Sequence, residues 1–168
     1  MRIFESLTRL LHLGFTTIAL GLCGALLQQQ YHGGTPTRLN YSIFALALSA
    51  LSLFYLLPAL FIERIRNPIA VITLDVLNFI FLFCAGIAMA AQLGGKGCGD
   101  RNHWRNGILN GGGYNPEKRC KEANALTAFL WFAATTAAIS GIVAFYNMKK
   151  ELDTRRLHSR RPNMKMTV

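Results

Sequence analysis

Residues Pro68 to Ala91 read PIAVITLDVLNFIFLFCAGIAMAA, one unbroken apolar run carrying a single acid, Asp75, and a single amide, Asn78. As a helix rising 1.5 Å per residue it is about 36 Å long, enough to cross the roughly 30 Å of bilayer hydrocarbon. A buried helix of a soluble domain rarely stays apolar for so long. Three further runs of the same kind lie at Leu10–Leu27, Tyr41–Ile62 and Ala123–Tyr146. The chain therefore reads as an all-α membrane protein, a four-helix transmembrane bundle, with an outer loop at 92–122 and a basic tail at 148–168.

Composition agrees. Of 168 residues, 52% are hydrophobic and 15% charged, for a net charge of +10. A disordered chain needs the opposite balance, and soluble domains carry about 25% charge. Arg2 and Arg9 before the first run resemble a secretory signal, but the run is too long and lacks a small-residue cleavage site, so it reads as a retained helix. Four spans put both termini on one side. Eleven lysines and arginines then share that side, Arg9, Arg64 and Arg66 among them, against seven on the other. The positive-inside rule makes the termini cytosolic. The charge reads as two membrane-facing surfaces, with no nucleic-acid footprint.

The outer loop is rich in glycine and costly to order without a staple or a partner. Cys98 and Cys120 are the candidate disulfide there if that side is oxidising, and two free thiols are the other reading. Cys23 and Cys84 lie inside spans and read as small packing residues. Asn40-Tyr41-Ser42 matches a glycosylation sequon but abuts a span, which favours a role at the helix entry. In the tail, Lys149, Lys150, Arg155, Arg156, Arg160 and Arg161 form a basic cluster suited to anionic lipid at the inner leaflet.

Helices in lipid associate through small residues that let backbones approach. Such stripes run through Gly14, Thr17, Gly21 and Gly24 in the first span, Ser42, Ala45, Ser49, Ser52 and Ala59 in the second, and Ala133, Ala137 and Gly141 in the fourth. Gly21, Ser49, Ser52, Ala137 and Gly141 are the helix-packing candidates. Ionisable groups within spans are expensive. Asp75 lies about seven residues in from the cytosolic end, and His12, Ser52 and Ser140 reach a similar depth, which predicts a polar cluster of Asp75, Asn78 and His12. His12 or Asn78 is the expected partner of Asp75, with Arg9 the alternative cation. Pro58 predicts a kink near Phe54. HExxH, GxSxG, CxxC and phosphate-loop patterns are all absent, and a lone span histidine does not make a bis-histidine haem site. No catalytic residue, metal site or cofactor is expected, although the bundle can hold lipid.

RLNYSIFALALSA (Arg38–Ala50), TLDVLNFIFLFCAG (Thr73–Gly86), RCKEANALTAFLWF (Arg119–Phe132) and FYNM (Phe145–Met148) resemble the fungal MARVEL-domain family named for non-classical export. The resemblance implies a plasma-membrane, eisosome-associated scaffold with cytosolic termini that responds to sphingolipid or sterol. It also places Asp75 and Asn78 at the family's third-span polar motif, and Cys98 with Cys120 at its outer-loop pair. Expected partners are membrane lipids, further copies of the chain or other integral membrane proteins. The alternative functions are an accessory subunit of a larger membrane transport complex and a small-solute or proton-coupled carrier using Asp75.

Overall fold

The computed structural model describes residues 2–30, 34–62, 67–94, 98, 109 and 115–159, without the side chains of 2, 3, 60 and 155–159. Four helices account for nearly all of them: α1 (Arg2–Gln28), α2 (Thr37–Phe61), α3 (Pro68–Leu93) and α4 (Pro116–Ser159). All four contain stretches long and apolar enough to cross a membrane. The α3 helix begins with the Asn67 side chain accepting from the Ile69 amide at 3.1 Å and proline at its first position, where the missing N–H is no loss. It ends at Gly94 in the left-handed conformation (φ 61°), which glycine adopts without strain. Pro58 does not stop α2, which continues one turn further to Phe61.

The α1 and α4 helices outrun at both ends the apolar runs that announced them, whereas α3 begins at Pro68 as its run does. The α1 helix starts at Arg2, because Glu5, Thr8 and Arg9 belong to its buried face rather than to a solvated flank. The α4 helix has 44 residues, about 66 Å of rise, so it extends well past the bilayer's apolar thickness. Its first turns hold Cys120, whose disulfide to Cys98 ties the α3–α4 connection to the bundle.

Neighbouring helices in the ring α1–α2–α3–α4 pack together, and α4 forms the two most extensive interfaces, with α3 and α1. Two apolar clusters result. The larger occupies the half nearer the α3–α4 connection and includes Cys23, Leu46, Leu82, Met89, Leu126 and Leu109, the last inserted from that connection. The smaller, Leu56, Val71 and Ala144, lies towards the termini. Outside, Phe44, Phe54, Ile69, Ile80, Phe132 and Ile142 are exposed and form an apolar surface suited to lipid. Phe81 and Phe129 instead pack against the larger cluster. Cys23 is buried, but Cys84 faces outward, contrary to its expected packing role.

Candidate functional site, a buried polar layer

Between the two apolar clusters every helix contributes polar side chains to the interior. On α1 the buried positions Glu5, Thr8, Arg9, His12 and Thr16 recur at three- and four-residue spacing, one helical face. They meet Ser49 and Ser52 of α2, Asp75 and Asn78 of α3, and Thr136 and Ser140 of α4, all buried. Ionisable groups are costly against hydrocarbon, so these faces turn inward, where most of the side chains hydrogen-bond, while Thr16 Oγ1 and Ser140 Oγ have no partner among the described residues.

The ion pair of the layer is Arg9–Asp75. Arg9 Nη1 donates to Asp75 Oδ1, and Nη2 donates to Oδ2 at 2.7 Å, with the two side chains 2% and 1% exposed. This two-point fork is the strong form of a guanidinium–carboxylate contact. The expected partners of Asp75 are thereby corrected. Asn78 Nδ2 instead donates to Ser52 Oγ at 2.6 Å, and Ser52 Oγ donates to the Ser49 carbonyl at 2.7 Å. His12 joins α1 to α2 and α4. Its Nδ1 lies 3.0 Å from both the Ala133 carbonyl and Thr136 Oγ1, and its Nε2 lies 2.9 Å from Ser49 Oγ. A carbonyl only accepts, so Nδ1 carries the proton, and in the neutral ring Nε2 accepts from the Ser49 hydroxyl.

A run of polar contacts thus passes from Asn78 through Ser52, Ser49 and His12 to Ala133, touching all four helices, with Arg9–Asp75 beside it. Helix α4 closes on α3 at Gly141, where an added Cβ would stand 3.3 Å from Asp75 Cβ. Ser49, Ser52 and Ala137 are buried. Gly21 is not: with Gly14, Thr17 and Gly24 it faces outward, and added Cβ atoms at the three glycines would meet open space. The stripe expected to pack inside α1 lies on its opposite side, because the polar face claims the interior.

A second polar group at the other end of the bundle escaped the sequence reading. Arg119 Nη2 donates to Gln30 Oε1 at 2.8 Å, and Gln29 Nε2 donates to Glu122 Oε2 at 3.1 Å, joining the end of α1 to the start of α4. Arg38 donates to Gln92, joining α2 to α3. Both Arg9 and Arg119 are buried, so neither acts as a surface charge. Lys149 and Lys150 are exposed on the extension of α4. Side chains of Arg155 and Arg156, and all of Arg160 and Arg161, lie outside the described residues, as do Arg64 and Arg66.

Four apolar helices closed around an interior polar layer define a multi-pass membrane protein. Residues 2–143 match the MARVEL membrane-associating domain, and the chain belongs to that family. It is 32% identical to Non-classical export protein 2 of Saccharomyces cerevisiae over 146 residues, 86% of this chain and 81% of that protein. It is 30% identical to the Non-classical export protein 2 homolog of Schizosaccharomyces pombe over 155 residues, 89% and 80% of the two chains. No solved structure matches it.

Proposed function

We propose that the chain is a non-enzymatic membrane organiser, a lipid-responsive scaffold of plasma-membrane eisosome domains that registers sphingolipid or sterol. The observation that carries this reading is the division of its surface: the polar side chains bond one another between helices, and the surroundings meet apolar side chains. On this reading Asp75, Asn78 and His12 hold the bundle in one arrangement rather than bind a substrate. Residues 1–147 form the membrane domain. The basic positions of 148–168, beginning with Lys149 and Lys150, sit against anionic lipid on the cytosolic side, each contributing about 1 kcal/mol close to the surface.

The test is lateral distribution. Sphingolipid depletion is expected to disperse or regroup the protein in the plasma membrane, seen by fluorescence imaging of the tagged full chain. An unchanged distribution, with depletion verified by lipid analysis, would remove sensing from the reading.

A second reading, association with a further transmembrane chain as an accessory subunit or a second copy, is favoured by the outward stripe of Gly14, Thr17, Gly21 and Gly24 on α1. Small residues there let another helix approach closely. Gly21→Leu is expected to leave helix content and thermal stability nearly unchanged, since the site is open, while reducing co-extracted partner or dimer mass in mild detergent. Equal complex mass for both proteins would count against a docking role for that face.

A further inference from the structure

Between α3 and α4, on the outer surface of the bundle, runs a slot of about 740 Å³ open to the surroundings. Its origin is the small side of α4: Ala138 and Gly141 leave the space that larger residues would fill, and Asp75 and Gly141 meet at its base. Its walls are apolar and aromatic, among them Phe79 and Phe145, and Tyr146 stands near one end. Lys149 lies at that same end, where its ammonium is 5.1 Å from the centre of the Phe145 ring. The slot therefore has a cationic mouth on the side of the termini and an apolar body leading into the bilayer.

Its length is specific. From Lys149 to Ala138 is eleven residues of helix, about 16 Å of rise. One leaflet of hydrocarbon, half of roughly 30 Å, is about 15 Å thick. A groove one leaflet deep with a cation at the headgroup level fits a lipid chain below an anionic head. The cation–π contact holds the ammonium beside the slot while leaving its remaining N–H groups for phosphate oxygens.

We infer that the α3–α4 slot holds one acyl chain of an anionic phospholipid from the leaflet on the side of the termini, with its phosphate on Lys149. This deepens the lipid-responsive reading and rests on it for its biological meaning, but its test is separate.

The full chain would be reconstituted in phosphatidylcholine bilayers containing a minor fraction of phosphatidylserine, extracted in mild detergent and weighed by native mass spectrometry. The intact protein is expected to retain one phosphatidylserine in preference to phosphatidylcholine. Lys149→Gln should cut that retention about fivefold, the effect of one basic residue close to an anionic surface. Ala138→Phe should abolish it by filling the slot, with helix content and monodispersity checked first. Ile69→Phe, at a position that does not line the slot, should change nothing.

Retention undiminished in Ala138→Phe would mean annular lipid only and would overturn the assignment, as would equal retention of the two phospholipids by the intact protein. Slot-dependent retention without redistribution on sphingolipid depletion would uphold the slot and remove the sensing reading. Redistribution without slot-dependent retention would do the reverse.

Discussion

Arg9→Met is expected to destabilise the bundle by about 3–5 kcal/mol, the loss typical of removing one partner from a buried ion pair. The reason lies in what remains. Asp75 is 1% exposed, and Glu5, one turn before Arg9 on α1, is 2% exposed, so the variant keeps two interior acids without the guanidinium that held Asp75. Asp75→Leu alone should lose a similar amount, since it leaves a buried guanidinium without its carboxylate. Arg9→Met with Asp75→Leu should recover most of the loss, because a desolvated pair adds little beyond a well-packed apolar one. The measurement is the fraction of helix retained against SDS in mixed micelles for all four proteins of the cycle. Additive losses in the double variant would show that the two side chains are not coupled and would contradict the bidentate pair.

That pair also marks where the sequence ceased to be readable. Asp75, Asn78 and His12 stood out as polar residues within apolar runs, and counting residues from the helix ends brought them to one depth. Pairing needs the rotation of each helix about its axis, which depth does not supply. Arg9 enters from a position three residues before His12, and its long side chain reaches Asp75, so the cation expected only as the alternative becomes the partner. On α1 two faces had helical spacing, one small and one polar. The rule that small residues pack inward selected Gly14, Gly21 and Gly24, but burying His12 and Arg9 outweighs the closeness that glycines permit.

The four helices were legible from apolar length, as were the start of α3 and the end of α2, but the polar ends of α1 and α4 were not, since a run-based reading scores residues and not faces. For α4 a signal was present. Asn115-Pro116-Glu117 joins a capping residue, a proline suited to the first helical position and an acid in the first turn. The structure follows it: the Lys118 amide faces Asn115 Oδ1 at 3.5 Å, and the helix begins at Pro116. Reading that start would have placed Arg119, Cys120 and Glu122 on a helix, with Arg119 and Glu122 in reach of the glutamines that close α1.

Placing Cys120 on a helix makes the disulfide the second large determinant of stability. Its partner Cys98 lies in the α3–α4 connection, with a Cα–Cα distance of 5.6 Å and 22 residues of separation. In the chain-entropy model a loop of that length contributes about 3 kcal/mol. The bond joins the connection to the start of α4, beside the core cluster that Leu109 enters from the same connection, while the polar layer links the four helices elsewhere. Asn124, one turn after Cys120, directs its amide at both sulfurs, 3.3 Å from Cys98 Sγ and 3.8 Å from Cys120 Sγ. Cys98→Ser with Cys120→Ser is therefore expected to lose about 3 kcal/mol and to raise protease sensitivity first between 99 and 115, while α1 and α2 keep their protection. Hydrogen exchange read by mass spectrometry resolves the two regions. Uniform loss of protection through all four helices would show that the staple holds the bundle itself. Because disulfides persist in oxidising compartments, a membrane-impermeant alkylating reagent added after reduction should label this pair from the outside of intact cells. Labelling that requires permeabilised cells would instead place the α3–α4 connection within the cell and reverse the proposed orientation.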